Sequence, residues 1–128
     1  MNLLLDSDAA VWMLYEKEKL SHAASMALED KSNSVAVSYA SLWKITAKLA
    51  RGRLPMLGSS ITYMMRELDE MQIPMLRIRR VHILAMEKLE MHHGDPFDRM
   101  LIAQAQVEGL TLVSADSQFR KYGVPVFW

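Results

Sequence analysis

Short apolar runs that end in polar residues recur along this chain, with stretches of helical spacing between them. Asn2–Leu5 (NLLL) is the first, and it ends at Asp6. Ser34–Val37, Ile73–Ile78, Leu110–Val113 and Val124–Phe127 are the others. Runs this short, bounded by turn residues and rich in branched side chains, predict strands. Between them the spacing predicts helices over Ala9–Tyr15, His22–Asp30 (capped by Ser21), Ser38–Arg51 (stopped at Gly52), Ser59–Met71, Val81–Glu90 and Pro96–Glu108 (closed by Gly109). Leu54–Leu57, around Pro55, reads as a linker, and Ser117–Tyr122 as a helical turn. Strands separated by helices are too far apart in sequence for hairpins. They pair in parallel through crossovers, so the expected class is α/β with a mainly parallel sheet. Pro74 puts Ile73–Ile78 near a sheet edge, since proline cannot donate to a ladder.

A length of 128 residues suits a single domain spanning 1–128. Lysine plus arginine balances aspartate plus glutamate at 15 each, so no global basic field marks a nucleic-acid binder and local patches decide. The chain has no cysteine, which removes thiolate nucleophiles, disulfides and cysteine–zinc sites. The start, MNLLLDSDAAVW, lacks a basic leader and is interrupted by Asp6 and Asp8, unlike a signal peptide. No apolar run approaches the ~18 residues of a membrane span, so a cytoplasmic domain is expected. The 11 methionines read first as flexible core filler. Met56–Met75 is also rich enough in methionine and leucine to offer an apolar groove to a partner helix.

In parallel α/β sheets ligands lie beyond the carboxyl ends of the strands. LLLD puts Asp6 at one such exit, and LVSAD puts Asp116 just past another. The helix starting at Pro96 precedes the second of these strands, so its N-terminal end, carrying Asp98, can approach the same rim. Carboxylates gathered there repel one another unless a cation joins them, and hard ions such as Mg²⁺ or Mn²⁺ prefer oxygen ligands. Each acid also has a plain structural role. Asp95-Pro96 has the chemistry of an N-cap followed by proline, and Asp98 favours the positive helix end. Asp8, followed by Ala9, is a better cap candidate than Asp6, and Asp116 suits a turn.

Other residues carry weaker signals. His92 and His93 are adjacent and point apart on regular structure, and His82 stands alone. All three read as structural or solvated. Lys48, Arg51, Arg53 and Arg99 are candidates for gripping a nucleic-acid backbone, although solvated surface charge is the more ordinary role. Trp12 and Trp43 read as core rather than as base-stacking platforms. No glycine-rich phosphate loop or serine elbow is present.

The blocks LLDSDAAVW, SVAVSYASLWKITAKLARGRL, HHGDPFDRMLIAQA and LTLVSAD, in this order, resemble the PIN-domain family and are most similar to its VapC-type toxins. The resemblance implies a three-layer α/β/α sandwich and a metal-dependent endoribonuclease using Mg²⁺ or Mn²⁺. It also implies an RNA substrate, a homodimer and a VapB-like antitoxin that occludes the active groove. The family's catalytic, metal-holding aspartates fall on Asp6, Asp98 and Asp116. Ser114 and Asp95 fall at supporting positions, and Asp8, next to the first strand's exit, is a supporting candidate as a substitute ligand. The family has a glutamate after the tryptophan of SLWEI; this chain has Lys44 there. Lys44 either pairs with Asp6 or Asp98 as a built-in cation, or extends to water and leaves a weakened site. The alternatives to an attenuated toxin are a catalytically inactive PIN-fold partner of an antitoxin and a DNA-directed phosphoesterase. The small size argues against the last.

Overall fold

A computed structural model describes residues 1–54 and 60–128. The expected linker at Leu54–Leu57, the start of the expected helix at Ser59, and Met56 of the expected groove fall wholly or partly outside these residues. The elements run β1 (Asn2–Leu5), α1 (Ser7–Tyr15), α2 (His22–Glu29), β2 (Ser34–Ser38), α3 (Tyr39–Ala50), α4 (Ile61–Glu70), β3 (Met75–Leu76), α5 (Arg80–Glu87), α6 (Pro96–Glu108), β4 (Thr111–Val113) and β5 (Val126–Phe127). Short 3₁₀ turns occupy Lys17–Lys19 and Ser117–Tyr122. The five strands form one sheet in the order β3-β2-β1-β4-β5, and every pairing is parallel. The architecture is the expected α/β class, with helices on both faces.

The central strand sorts its side chains by alternation. Leu3 and Leu5 point to one face, into a core shared with α1, α2, α4 and the inner side of α3. Leu4 points to the other, against α6 and the turn carrying Phe119. A strand buried on both faces has to be apolar at every position, which is why NLLL carries no alternation.

Two strands are shorter than the sequence suggests. β3 pairs only at Met75 and Leu76, and the Val37 N–H donates to the Pro74 carbonyl rather than to a longer ladder. Its place is the sheet edge, where proline is tolerated. β5 likewise pairs only at Val126 and Phe127, on the opposite edge.

Met56–Met75 does not present the apolar groove expected of it within the described residues. Met64 and Leu68 are fully buried and Ile73 nearly so, which leaves Tyr63 and Met71 as its exposed large apolar side chains. No helix among the described residues is long and apolar enough to cross a membrane.

Candidate active site at the carboxyl rim of the sheet

The strands β1 and β4 are neighbours and parallel, so their exits lie side by side. The chain leaves β1 directly into α1, and Asp6 is the hinge. Its Oδ1 accepts the Ala9 N–H at 2.7 Å, capping α1. Asp6, not Asp8, is therefore the cap; the helix starts two residues earlier than expected because strand and helix share this one residue as a boundary. Asp8, in the first turn, points outward and meets Lys48 at 3.4 Å, away from the cluster. The second Asp6 oxygen accepts the Ser114 hydroxyl at 2.5 Å. Ser114 sits at the exit of β4 and its Oγ accepts the Asp116 N–H at 3.0 Å. Asp116 in turn caps the 3₁₀ turn through the Gln118 N–H.

The start of α6 closes the rim from the other side. Asp95 Oδ1 accepts the Phe97 and Asp98 N–H groups at 2.8 and 3.1 Å, and Pro96 fills the first helical position. Asp98 lies one turn in and is buried. α3 approaches β1 through Ser41, whose hydroxyl donates to the Leu5 carbonyl at 3.3 Å. Lys44 is three residues on, hence on the same face of α3. Its ammonium lies 2.9 Å from Asp95 Oδ2 and 3.0 Å from Asp98 Oδ2. Of the sequence alternatives, the built-in cation is the one realised. Its partners are Asp98 and Asp95, and Asp6 is not among them.

One participant was missed by the sequence reading. His93 Nε2 lies 3.0 Å from Asp116 Oδ2 and 3.2 Å from Asp98 Oδ2. The argument that adjacent histidines point apart assumes regular structure; this loop is irregular. Tyr122 Oη accepts both the His92 and His93 N–H groups, and the His93 ring packs edge-on against Phe119. Only His93 is thereby turned inward; His92 stays at the surface beside Glu90. The tautomer follows from the other ring nitrogen. Nδ1 accepts the Asp95 N–H at 3.1 Å, so the proton resides on Nε2, which donates to the carboxylates. The signal available in the sequence was position: a histidine two residues before an Asp-Pro cap lies within reach of whatever the helix end faces.

The result is a continuous polar chain: Asp6, Ser114, Asp116, His93, Asp98, Lys44, Asp95. Its electrostatics are those of a crowded acid cluster. Burial pushes the Asp6 carboxyl up to about 6, against the lowering effect of Ser114 and the Ala9 N–H. Burial also raises Asp98, and Lys44 only partly offsets this. At Asp95 burial is outweighed by Lys44, which holds the carboxyl below its usual range. Lys44 itself is held above its usual range by the two aspartates despite burial, so it stays charged. The chain holds four carboxylates and a single ammonium, which binds two of them, Asp95 and Asp98.

The donor set fits a hard divalent cation. His93, Asp98 and Asp116 each offer an atom within 4.8 Å of the others. Because His93 presents a proton rather than a lone pair, Asp98 and Asp116 supply the oxygens of that group; Asp6, whose two oxygens accept the Ala9 N–H and the Ser114 hydroxyl, stands outside it. Lys44 already occupies one side of Asp98.

Other expectations resolve differently. Arg99 is buried and structural: its guanidinium donates to the carbonyls of Glu90 and Leu89 and to Tyr122 Oη. His82 is fully buried, with Nδ1 accepting the Arg79 N–H and Nε2 beside Glu108. Trp12 packs partly buried against Trp128, whereas Trp43 is 63% exposed and meets only the edge of Phe97 from α6 among aromatic neighbours.

Comparison with known proteins agrees with this geometry. The family model described as PIN domain matches residues 3–125. Ribonuclease VapC22 of Mycobacterium tuberculosis is 32% identical over 123 residues, covering 96% of this chain and 93% of that protein. Among solved structures, VapBC2 from Rickettsia felis bound to a promoter DNA fragment superposes with a TM-score of 0.72 at 16% identity, covering 100% of this chain and 99% of that one. DNA-bound VapBC from Salmonella typhimurium gives 0.71 at 14% identity, covering 99% and 97%. With its five-stranded parallel sheet and an acid cluster at the carboxyl rim, this chain belongs to the PIN-domain family.

Proposed function

We propose that this chain is a metal-dependent endoribonuclease toxin whose activity is attenuated by Lys44. The observation that carries the reading is the hydrogen-bonded chain linking Asp6, Asp116 and Asp98 through Ser114 and His93 at the sheet rim. The ribonuclease relative and the VapBC structures support it. In this reading Asp6, Asp98 and Asp116 hold Mg²⁺ or Mn²⁺. When bound, such an ion supplies water activation and offsets charge at the scissile phosphate. Ser114 fixes the Asp6 carboxylate toward the rim. His93 bridges Asp98 and Asp116, and the Asp95 cap anchors the first turn of α6. The substrate is RNA, the compartment the cytoplasm, the partner a VapB-like antitoxin, and the working form a homodimer.

Lys44 sets the level of activity. Where the family carries a carboxylate, this chain has an ammonium bound to Asp95 and Asp98, a change of two charge units beside the metal position. An ion entering there has to displace or repel it. Feeble metal binding and slow RNA cleavage are expected of the unaltered protein. Lys44→Glu should tighten Mn²⁺ binding at least about tenfold in calorimetry and raise cleavage, since ~1.4 kcal/mol of removed repulsion suffices. Asp98→Asn added to it should abolish both. Equal cleavage by the unaltered protein and Lys44→Glu would overturn attenuation. The Lys44 ion pair also favours a second reading, in which the chain binds its antitoxin without turning over RNA; cleavage by Lys44→Glu alone is the result that reading expects.

A further inference from the structure

The three rim acids are not equally fixed. Asp6 uses both oxygens, on the Ala9 N–H and the Ser114 hydroxyl. Asp98 is buried in the first turn of α6, and Lys44 meets its Oδ2 at 3.0 Å. Asp116 is the loose member. Its side chain is 39% exposed, against 7% for Asp98, and it caps a short 3₁₀ turn rather than a long helix. Its Oδ1 accepts the Gln118 N–H at 2.9 Å. The hydrogen-bond partner of its Oδ2 among the described residues is His93 Nε2, at 3.0 Å. The same nitrogen lies 3.2 Å from Asp98 Oδ2. One N–H therefore spans two carboxylates from two elements, α6 and the turn after β4, and an oxygen of each lies within 4.8 Å of an oxygen of the other. Carboxylates this close repel, and a shared donor offsets the repulsion while fixing their separation.

The imidazole is held from three other sides. Its Nδ1 accepts the Asp95 N–H at 3.1 Å, its backbone N–H donates to Tyr122 Oη at 2.8 Å, and its ring meets Phe119 with centroids 5.6 Å apart. The first contact settles which nitrogen carries the proton, and the other two settle where the ring points. Asp95 is also the cap of α6, so the ring is tied to the helix end that carries Asp98. Space filling alone needs no such tie. Carboxylates that ligate metals are themselves oriented by hydrogen-bond donors that do not touch the ion, and His93 has the placement of such a donor.

We propose that His93 is a positioning residue: its Nε2–H holds Asp116 toward Asp98 at the separation a divalent cation needs, and the Asp95 N–H keeps that proton in place. The role rests on the reading of Asp98 and Asp116 as metal-holding acids. Two substitutions divide the two ends of the ring. His93→Asn keeps an acceptor near the Nδ1 position and loses the donor that reaches the carboxylates. His93→Gln puts an amide N–H near the Nε2 position and restores the donor.

Both are made in the Lys44→Glu protein, with Mn²⁺ affinity read by calorimetry and folding by melting curves. His93→Asn should weaken Mn²⁺ binding about 10–100-fold. His93→Gln should recover most of that loss, while the two variants melt alike. The spin-echo spectrum of bound Mn²⁺ should show no directly coordinated nitrogen. In the metal-free unaltered protein, nitrogen NMR should find His93 protonated at Nε2 alone, with a proton signal that moves in Asp116→Asn and stays in Asp8→Asn. Unchanged Mn²⁺ affinity in His93→Asn would overturn the role. So would equal losses in the two His93 variants, losses that follow their melting temperatures, or a proton on Nδ1. A nitrogen bonded to Mn²⁺ would overturn it by making His93 a ligand. If Lys44→Glu itself binds no Mn²⁺, the metal reading falls and the role with it. If Lys44→Glu binds Mn²⁺ and never cleaves RNA, the ribonuclease reading falls and the role stands.

Discussion

Asp6 is the residue at which stability and chemistry oppose each other. Burial raises its carboxyl to about 6 from an ordinary 3.8, so the folded state prefers it protonated. The stability this confers is present in full below the unfolded value near 3.8 and is lost as pH rises through about 6. At neutral pH the ionised group therefore costs on the order of 3 kcal/mol in the metal-free protein. Asp6→Asn keeps an oxygen for the Ala9 N–H and removes the charge. Its melting temperature should exceed that of the unaltered protein at pH 8 and match it at pH 4, while Mn²⁺ binding is lost. Equal melting temperatures at both pH values would mean that Asp6 is better solvated than its burial indicates. Residue-level reading of the sequence was uneven for a physical reason. Asp6, Asp98 and Asp116 stood out because strand exits and helix starts are marked by local text. His93 and Trp43 did not, because which way a loop histidine turns, or whether an indole is covered, depends on Tyr122 and Phe97, which are distant in sequence.

At the level of elements, the N-terminal end of α6 is also held by contacts outside the acid cluster. Arg99 ties it to the carbonyls of Leu89 and Glu90 and to Tyr122, the same hydroxyl that orients His93. Arg99→Ala removes the donor from those part-buried carbonyls and from Tyr122. Chemical denaturation should register a loss of about 2–3 kcal/mol. Were Arg99 instead a backbone-gripping residue, the variant would keep its stability and lose salt-dependent strand binding. Long elements were legible where a cap and a periodic face agree, as in α6 with Asp95, Pro96 and Gly109. The edge strands were overextended. An apolar run such as IPMLRI shows that a segment can be buried, but only a neighbour with free N–H and carbonyl groups decides how much of it pairs. β2 offers that to two residues of β3.

For the molecule as a whole, the sheet predicts an order of opening. β1 is paired on both sides and covered on both faces, while β3 and β5 are two-residue edges. In native-state hydrogen exchange, the amides of Leu4 and Leu5 should exchange only through global unfolding, and those bonded to the edges, such as Leu112 on the Pro125 carbonyl, earlier. Uniform protection across all five strands would show that the edges are welded to the centre. The alternation of strand and helix made the parallel class readable from the text, whereas the strand order was not, since an apolar run carries no mark of its neighbour. One feature of the rim reaches further. Asp6 and Asp116 are each an acid of the rim cluster and a cap of the following helical turn at once. If the chain is a toxin, cells that escape it by genetic change face two unequal routes. Exchange to asparagine silences the acid yet keeps a cap, so the silent protein persists and goes on sequestering its antitoxin. Exchange to alanine removes both, and the frayed protein is cleared by proteolysis, leaving the antitoxin free. Survivors of the first kind should accumulate the protein to normal levels on an immunoblot, and survivors of the second kind should not.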